Sequence, residues 1–206
     1  MKRSVLVMLC VLATAVTPGC DLFGTNREFV PLEFPFATPS SVVRLAAFGI
    51  PNWSGADPHN GIDLILAEGG AATRIVSPTA GEVVSVEATE NSFSHPPGQL
   101  ILTVAIKVND EWTVNLILEP GTADPATRTA QRAAVLVDRG DEVGAGDPIA
   151  DLLVGNLGYP HLHYMVMKGN AAVCAYANSS EAAKRVFETI AAKPGSSVPG
   201  GRICVE

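Results

Sequence analysis

Three of the four histidines in this 206-residue chain fall in two short motifs, and those motifs hold the side chains best suited to chemistry. The first is His59-Asn60-Gly61-Ile62-Asp63-Leu64 and the second is Pro160-His161-Leu162-His163-Tyr164. Taken singly each says little, because two histidines at i and i+2 can simply share a strand face. Taken together they can build a metal site. On an extended strand His161 and His163 project to one side, so one can bind a metal while the other stands one side chain away. His59 and Asp63 bracket Gly61, whose conformational freedom permits a tight turn that brings an imidazole and a carboxylate to one point. Two imidazoles and a carboxylate suit zinc and leave a fourth position open for water, the pattern of catalytic rather than structural sites. Zinc in such a site lowers the pKa of water from about 16 toward about 7, and a nearby imidazole can take the proton. His95, in Ser94-His95-Pro96-Pro97, has no partner close in sequence and reads as a surface histidine.

The elements that must position these motifs are mostly strands. Ile75-Val76, Glu82 to Val86, Leu100 to Val108, Trp112 to Leu118, Val135 to Val137, Ile149 to Leu153 and Leu162 to Met167 are short runs rich in Val, Ile and Leu. Turn residues separate them, with Asn109-Asp110 reading as a hairpin turn between two long strands. This spacing predicts a mainly β fold, an antiparallel β-sheet or barrel-like sandwich, with one C-terminal helix. That helix is Ser180 to Ala192. Ser179 or Ser180 can cap it, Glu181 sits in its first turn, and Ala183, Val186, Phe187 and Ile190 recur at helical spacing.

Composition narrows the partners. With 47% hydrophobic residues the chain is globular, and 21 acidic against 14 basic residues give a charge of −7, which repels phosphate backbones, so nucleic acid is excluded as a partner. Lys2 and Arg3 precede an uncharged run from Val5 to Val16 that is too short to span a bilayer, which takes roughly 20 residues. It has the size of an export signal. Thr17-Pro18-Gly19-Cys20 ends it and resembles a bacterial lipobox, in which the cysteine is acylated and becomes the new N-terminus. An ordinary secretory signal cut nearby is the alternative. Cys10 leaves with the signal and Cys20 takes the lipid, so Cys174 and Cys204 remain as an even pair in an oxidising compartment and are expected to form a disulfide. Two free buried thiols are the alternative.

Several ordered motifs together resemble the lysostaphin-type (LytM-like) zinc endopeptidases that cut peptidoglycan cross-links. The likeness covers roughly residues 48–168. It begins at Phe48-Gly49, includes His59 to Asp63, Ala80-Gly81-Glu82-Val83 and the run from Gly140 to Ala150, and ends at His161-Leu162-His163. The resemblance implies a lysostaphin-like fold, a duplicated hybrid motif with a groove across its sheet. It also implies that His59, Asp63 and His163 bind Zn2+ and that His161 is the catalytic histidine. The family carries a further histidine, an oxyanion donor, in the strand before the segment 135–150. Here that strand reads Trp112 to Pro120 without one, and Glu119 lies close to the vacated place as a second catalytic candidate.

The resulting division is a lipoprotein signal over 1–19, a tether over 20–36 that becomes an ordered entry strand near Phe34 to Phe36, a zinc metallopeptidase-like domain over 37–168 and a disulfide-tied tail with its helix over 169–206. The expected function is an exported metalloendopeptidase of the cell envelope, anchored to the membrane by lipid on Cys20 and acting on peptidoglycan or other wall peptides. The missing histidine supports the alternative of a weak or inactive peptidoglycan-binding module that regulates a partner cell-wall hydrolase.

Overall fold

A computed structural model describes residues 27–51, 57–91, 98–155 and 157–205. The export signal, Cys20, the start of the tether and His95 lie outside the described residues. Among those described, the strands in chain order are β1 (Val42–Ala46), β2 (Ile62–Leu66), β3 (Thr73–Val76), β4 (Gly81–Asn91), β5 (Gln99–Lys107) and β6 (Trp112–Glu119). After helix α1 (Pro125–Ala133) come β7 (Glu142–Val143), β8 (Pro148–Leu152), β9 (His161–Lys168) and β10 (Ala171–Val173), then helix α2 (Glu181–Ala191).

The large antiparallel sheet runs β1-β2-β9-β6-β5-β4-β7, and β10 takes up the part of β9 that β2 leaves free. Alternation along its central strands separates two faces. Leu162, Tyr164 and Val166 of β9, Val114, Leu116 and Leu118 of β6, and Leu102, Val104 and Ile106 of β5 are buried on one side. A second layer covers them, made of the β3–β8 pair, α2, and Leu32, Phe34 and Phe36. The expected mainly β, antiparallel architecture is what forms, as a curled sheet. The intervening residues of β9 and β6, His161, His163 and Glu119 among them, point to the opposite face.

Helix α2 lies one residue inside each end of the expected span. Ser180 caps it by accepting from the Ala183 amide at 3.1 Å, and Ala183, Phe187 and Ile190 form its buried stripe. Phe187 is fully buried and meets Phe34 edge-on, with ring centroids 5.0 Å apart. Truncating such a phenylalanine to alanine typically costs about 3 to 5 kcal/mol. Cys174 and Cys204 are bonded, with Cα atoms 5.8 Å apart, so the polypeptide after α2 is tied back to the end of β10.

Three local expectations need correction. Helix α1 is an additional helix without an apolar stripe; its signal is Asp124, which accepts from the Thr127 amide at 2.8 Å, followed by Pro125 in the first turn. Its buried residue is polar: Gln131 donates to Asp151 O and accepts from Leu153 N, both at 2.8 Å, so hydrogen bonds hold α1 where apolar burial does not. Val135 to Val137 makes a single bridge, Val135 to Ala150, instead of a strand. Phe34 to Phe36 likewise contributes an isolated bridge, Phe36 to Ile75, while both rings are buried.

Candidate metal centre

The two histidine motifs meet because β2 and β9 are neighbours. Antiparallel register places Asp63 opposite His163 and Ile65 opposite His161, so the carboxylate and both imidazoles emerge on one face of two adjacent strands. His59 precedes β2 in a segment held by paired backbone hydrogen bonds with residues 49 and 50, His59 N to Ile50 O and Gly49 N to His59 O, each 2.8 Å. Nearest atoms of the three side chains then converge. His59 Nε2 lies 3.1 Å from Asp63 Oδ1 and 3.2 Å from His163 Nδ1, and His163 Nδ1 lies 2.8 Å from Asp63 Oδ1. Tetrahedral ligands bound at about 2.0 to 2.2 Å stand about 3.3 Å from one another, so these separations fit one zinc-sized cation. The group is able to hold a metal.

The opposite ring edges show which nitrogens face inward as lone pairs. His59 Nδ1 lies 2.8 Å from the Ala47 carbonyl, which can only accept, so Nδ1 carries the proton and Nε2 offers its lone pair. His163 Nε2 donates to Asn60 Oδ1 at 3.1 Å, which leaves Nδ1 facing Asp63. With neutral imidazoles, two lone pairs and a carboxylate therefore crowd together, an arrangement that repels itself unless a proton or a metal cation lies between them. Outer hydrogen bonds of this kind normally orient metal-binding histidines.

Gly61 is needed here for space. It is absent from the residues with left-handed backbone, but a Cβ on it would lie 2.6 Å from His163 Nε2 and 3.0 Å from Tyr164 O. The expected tight-turn role of this glycine is thus replaced by close approach of the His163 ring.

His161 stands beside the three-donor group. Its Nδ1 donates to the Tyr159 carbonyl at 2.7 Å, which turns Nε2 toward Asp63 Oδ1 at 3.7 Å and Glu119 Oε1 at 3.6 Å. Glu119 is brought there by register, directly opposite His161 in the β6–β9 pair. Burial works against a charged His161, but the Asp63 charge and then Glu119, by hydrogen bond and charge, outweigh it and push its pKa up to about 9. Burial also opposes ionisation of Asp63, yet the His161 charge and the hydrogen bonds that His163 and His59 donate when their rings are protonated hold that carboxyl well below its usual range. For His59, burial disfavours the imidazolium, and the Asp63 hydrogen bond and charge raise its pKa despite that. A divalent cation at Asp63 would cancel the largest influence raising His161 and so favour its neutral, basic form.

The disulfide-tied tail supports this centre from behind. Ala47, whose carbonyl orients His59, donates its amide to Ser197 O at 3.0 Å. Phe48 N donates to Ile203 O and Val205 N to Phe48 O, both at 3.0 Å, on either side of Cys204. Gly49 has φ +78°, and a Cβ there would lie 1.7 Å from Val205 O, so the tail seats only against glycine. Sequence reasoning missed the Ala47 and Tyr159 carbonyls, because a backbone acceptor has no residue-type signature, and it gave no role to Asn60 although it lies inside the first motif.

Neither a family model nor a curated protein matches the chain. Among solved structures it is similar to a Pseudomonas aeruginosa protein named as an M23 peptidase candidate, with 18% identity, TM-score 0.44, and coverage of 72% of this chain and 52% of that one. It is also similar to a mutant catalytic domain of the prophage-encoded M23 protein EnpA from Enterococcus faecalis, at 24% identity and TM-score 0.45, covering 71% of this chain and 95% of that one. A zinc-containing peptidase from Vibrio cholerae matches at 22% identity and TM-score 0.41, covering 72% and 39%. The chain thus spans about half of the first of these proteins and less of the third, and M23 is the family that includes the lysostaphin-type peptidases.

Proposed function

We propose that the protein is an exported, lipid-anchored zinc metalloendopeptidase that hydrolyses peptidoglycan cross-links or other cell-wall peptides. The observation that carries the reading is the convergence of His59 Nε2, Asp63 Oδ1 and His163 Nδ1 within 2.8 to 3.2 Å, with an unliganded imidazole beside them. Zinc held by those three donors would polarise the scissile carbonyl and lower the pKa of water at its remaining position. His161 Nε2, aimed at that place by the Tyr159 carbonyl, removes the proton from the attacking water and later returns it to the leaving amine. Glu119 at 3.6 Å stabilises the imidazolium that exists between those two transfers. Export and anchoring through Cys20 rest on the N-terminal sequence, with its short apolar run and lipobox-like end.

A second reading has a specific basis. The residues of β6 that share the His161 face are Thr113, Asn115, Ile117 and Glu119, none of which is a histidine positioned to hold an oxyanion. On that reading the protein binds wall peptides through the same face and regulates a partner hydrolase. Digestion of purified peptidoglycan by zinc-loaded protein, followed by mass spectrometry of the soluble fragments, separates the two. New peptide termini that disappear with chelator and in His161→Ala support the peptidase; tight binding with no new termini supports the module.

A further inference from the structure

Among the described residues, Arg44 is a cation on the face of the metal centre without an acidic partner. Arg44 lies on β1 opposite Ile65 of β2, which in turn lies opposite His161 of β9. Arg44 is half-buried; its Nε is shielded from solvent and has no hydrogen-bond partner, and among the described residues no carboxylate lies within ion-pair distance of it. It lies over the ring of Tyr159, with the guanidinium carbon 4.7 Å from the ring centroid. Tyr159 is unusual in two ways. It has φ +51°, a left-handed conformation disfavoured for a bulky residue, and its side chain is exposed, at 61%. The same backbone conformation directs its carbonyl to His161 Nδ1 at 2.7 Å.

Arg44 thus has a shielded Nε without a partner and outer nitrogens that no carboxylate of the described residues occupies, beside an exposed aromatic, a pairing that can receive an anion. An arginine whose guanidinium carbon sits over a ring can still offer its outer N–H groups to a carboxylate, the planar partner it matches with two hydrogen bonds. Along the strand order the site is polar: Arg44 on β1 at one flank, the metal ligands on β2 and β9, and Glu119 on β6 at the other flank. We propose that Arg44 and Tyr159 form a subsite for a free carboxylate on the bound peptide, which sets the direction in which the peptide crosses the metal centre. Two strand spacings separate Arg44 from His161, roughly 10 Å, so the carboxylate lies one to three extended residues from the scissile bond. This inference rests on the peptide-binding reading of the site.

The test is equilibrium binding of soluble muropeptide dimers, intact or with their carboxyls amidated by carbodiimide and ammonia. The zinc-loaded, full mature chain is used as His161→Ala so that the ligand survives. Intact dimers should bind about tenfold more tightly than amidated ones, the size expected of a charge-assisted pair. In the Arg44→Gln background that preference should vanish, Arg44→Lys should keep part of it, and Tyr159→Ala should reduce it. Metal content and melting temperature report whether each variant is folded, and ligand amidation tests the idea without any change at Arg44. Equal affinity for the two ligands, an undiminished preference in Arg44→Gln, or no binding at all overturns the proposal. Cleavage by the wild type is scored separately. Cleavage without an Arg44-dependent preference removes the subsite and leaves the peptidase reading intact, whereas the preference without cleavage establishes the subsite and removes the peptidase reading.

Discussion

Replacing Gly61 by alanine should separate metal binding from folding. The added Cβ would stand 2.6 Å from His163 Nε2 and 2.8 Å from Cε1, where ordinary contact begins at 3.4 Å, so the ring must retreat by roughly 0.8 Å. Metal–ligand bonds tolerate displacements of about 0.2 Å. His163 must therefore tilt away, losing both its place at the metal and its hydrogen bond to Asn60. Removing an outer hydrogen bond alone usually costs 10- to 100-fold in affinity, so displacing the ligand itself should cost at least about 100-fold, or about 2.7 kcal/mol. Competition against a chromogenic zinc chelator measures this directly. Asn60→Ala, which removes only the acceptor at 3.1 Å, should lose about tenfold and serves as the milder comparison. A Gly61→Ala protein that binds zinc within about threefold of the wild type would refute the argument that this glycine makes room for a metal ligand.

Three further outcomes follow from the same geometry. Glu119→Gln removes a negative charge 3.6 Å from His161 Nε2, worth about 1 kcal/mol even with the screening of water, so the acid limb of the kcat/KM profile should move down by about one pH unit; an unmoved limb would deny the glutamate its role. In metal-free protein the raised pKa of His161 means that its stabilising contribution is complete below about 6.5 and is lost as pH rises toward about 9; denaturant titrations should register up to about 3 kcal/mol, and a flat profile over that window would count against the pairing with Asp63 and Glu119. Cys174→Ser with Cys204→Ser opens a cross-link between residues 30 apart and should lower stability by about 3 to 4 kcal/mol; it should also weaken zinc binding, because the freed tail no longer holds Phe48 and the Ala47 carbonyl beneath His59. Zinc affinity that survives the double substitution would show that the tail does not support the metal centre.

Much of the site is legible in the chain because the side chains that converge are the rare ones. Four histidines leave few ways to build a metal centre, and the i, i+2 spacing of His161 and His163 needs only an extended strand to bring them to one face. Glu119 illustrates the limit: its place on a strand can be read, but its position opposite His161 is a matter of register, which long-range pairing sets. Helix α1 escapes a search for apolar periodicity because its buried residue is Gln131, anchored by hydrogen bonds to the β8 end. The support of His59 by the C-terminal tail is further from view. It runs through backbone groups of Ala47, Phe48, Ser197 and Ile203, and only the close approach of Val205 to Gly49 leaves a trace in residue type. The cysteines fared better, since the two left after the N-terminal signal-like segment form an even pair, which suggests the bond that Cys174 and Cys204 make.

The central claim is that three donors from two distant motifs bind one zinc while a fourth side chain, His161, stays outside the coordination sphere as the base. X-ray absorption at the zinc edge on stoichiometrically loaded protein measures this directly. The account predicts one zinc per chain with two imidazoles and oxygen ligands at about 2.0 to 2.2 Å, unchanged in His161→Ala and reduced to one imidazole or lost in His163→Ala. A spectrum with three imidazoles, one that changes in His161→Ala but not in His163→Ala, or a protein that takes up no zinc would contradict it.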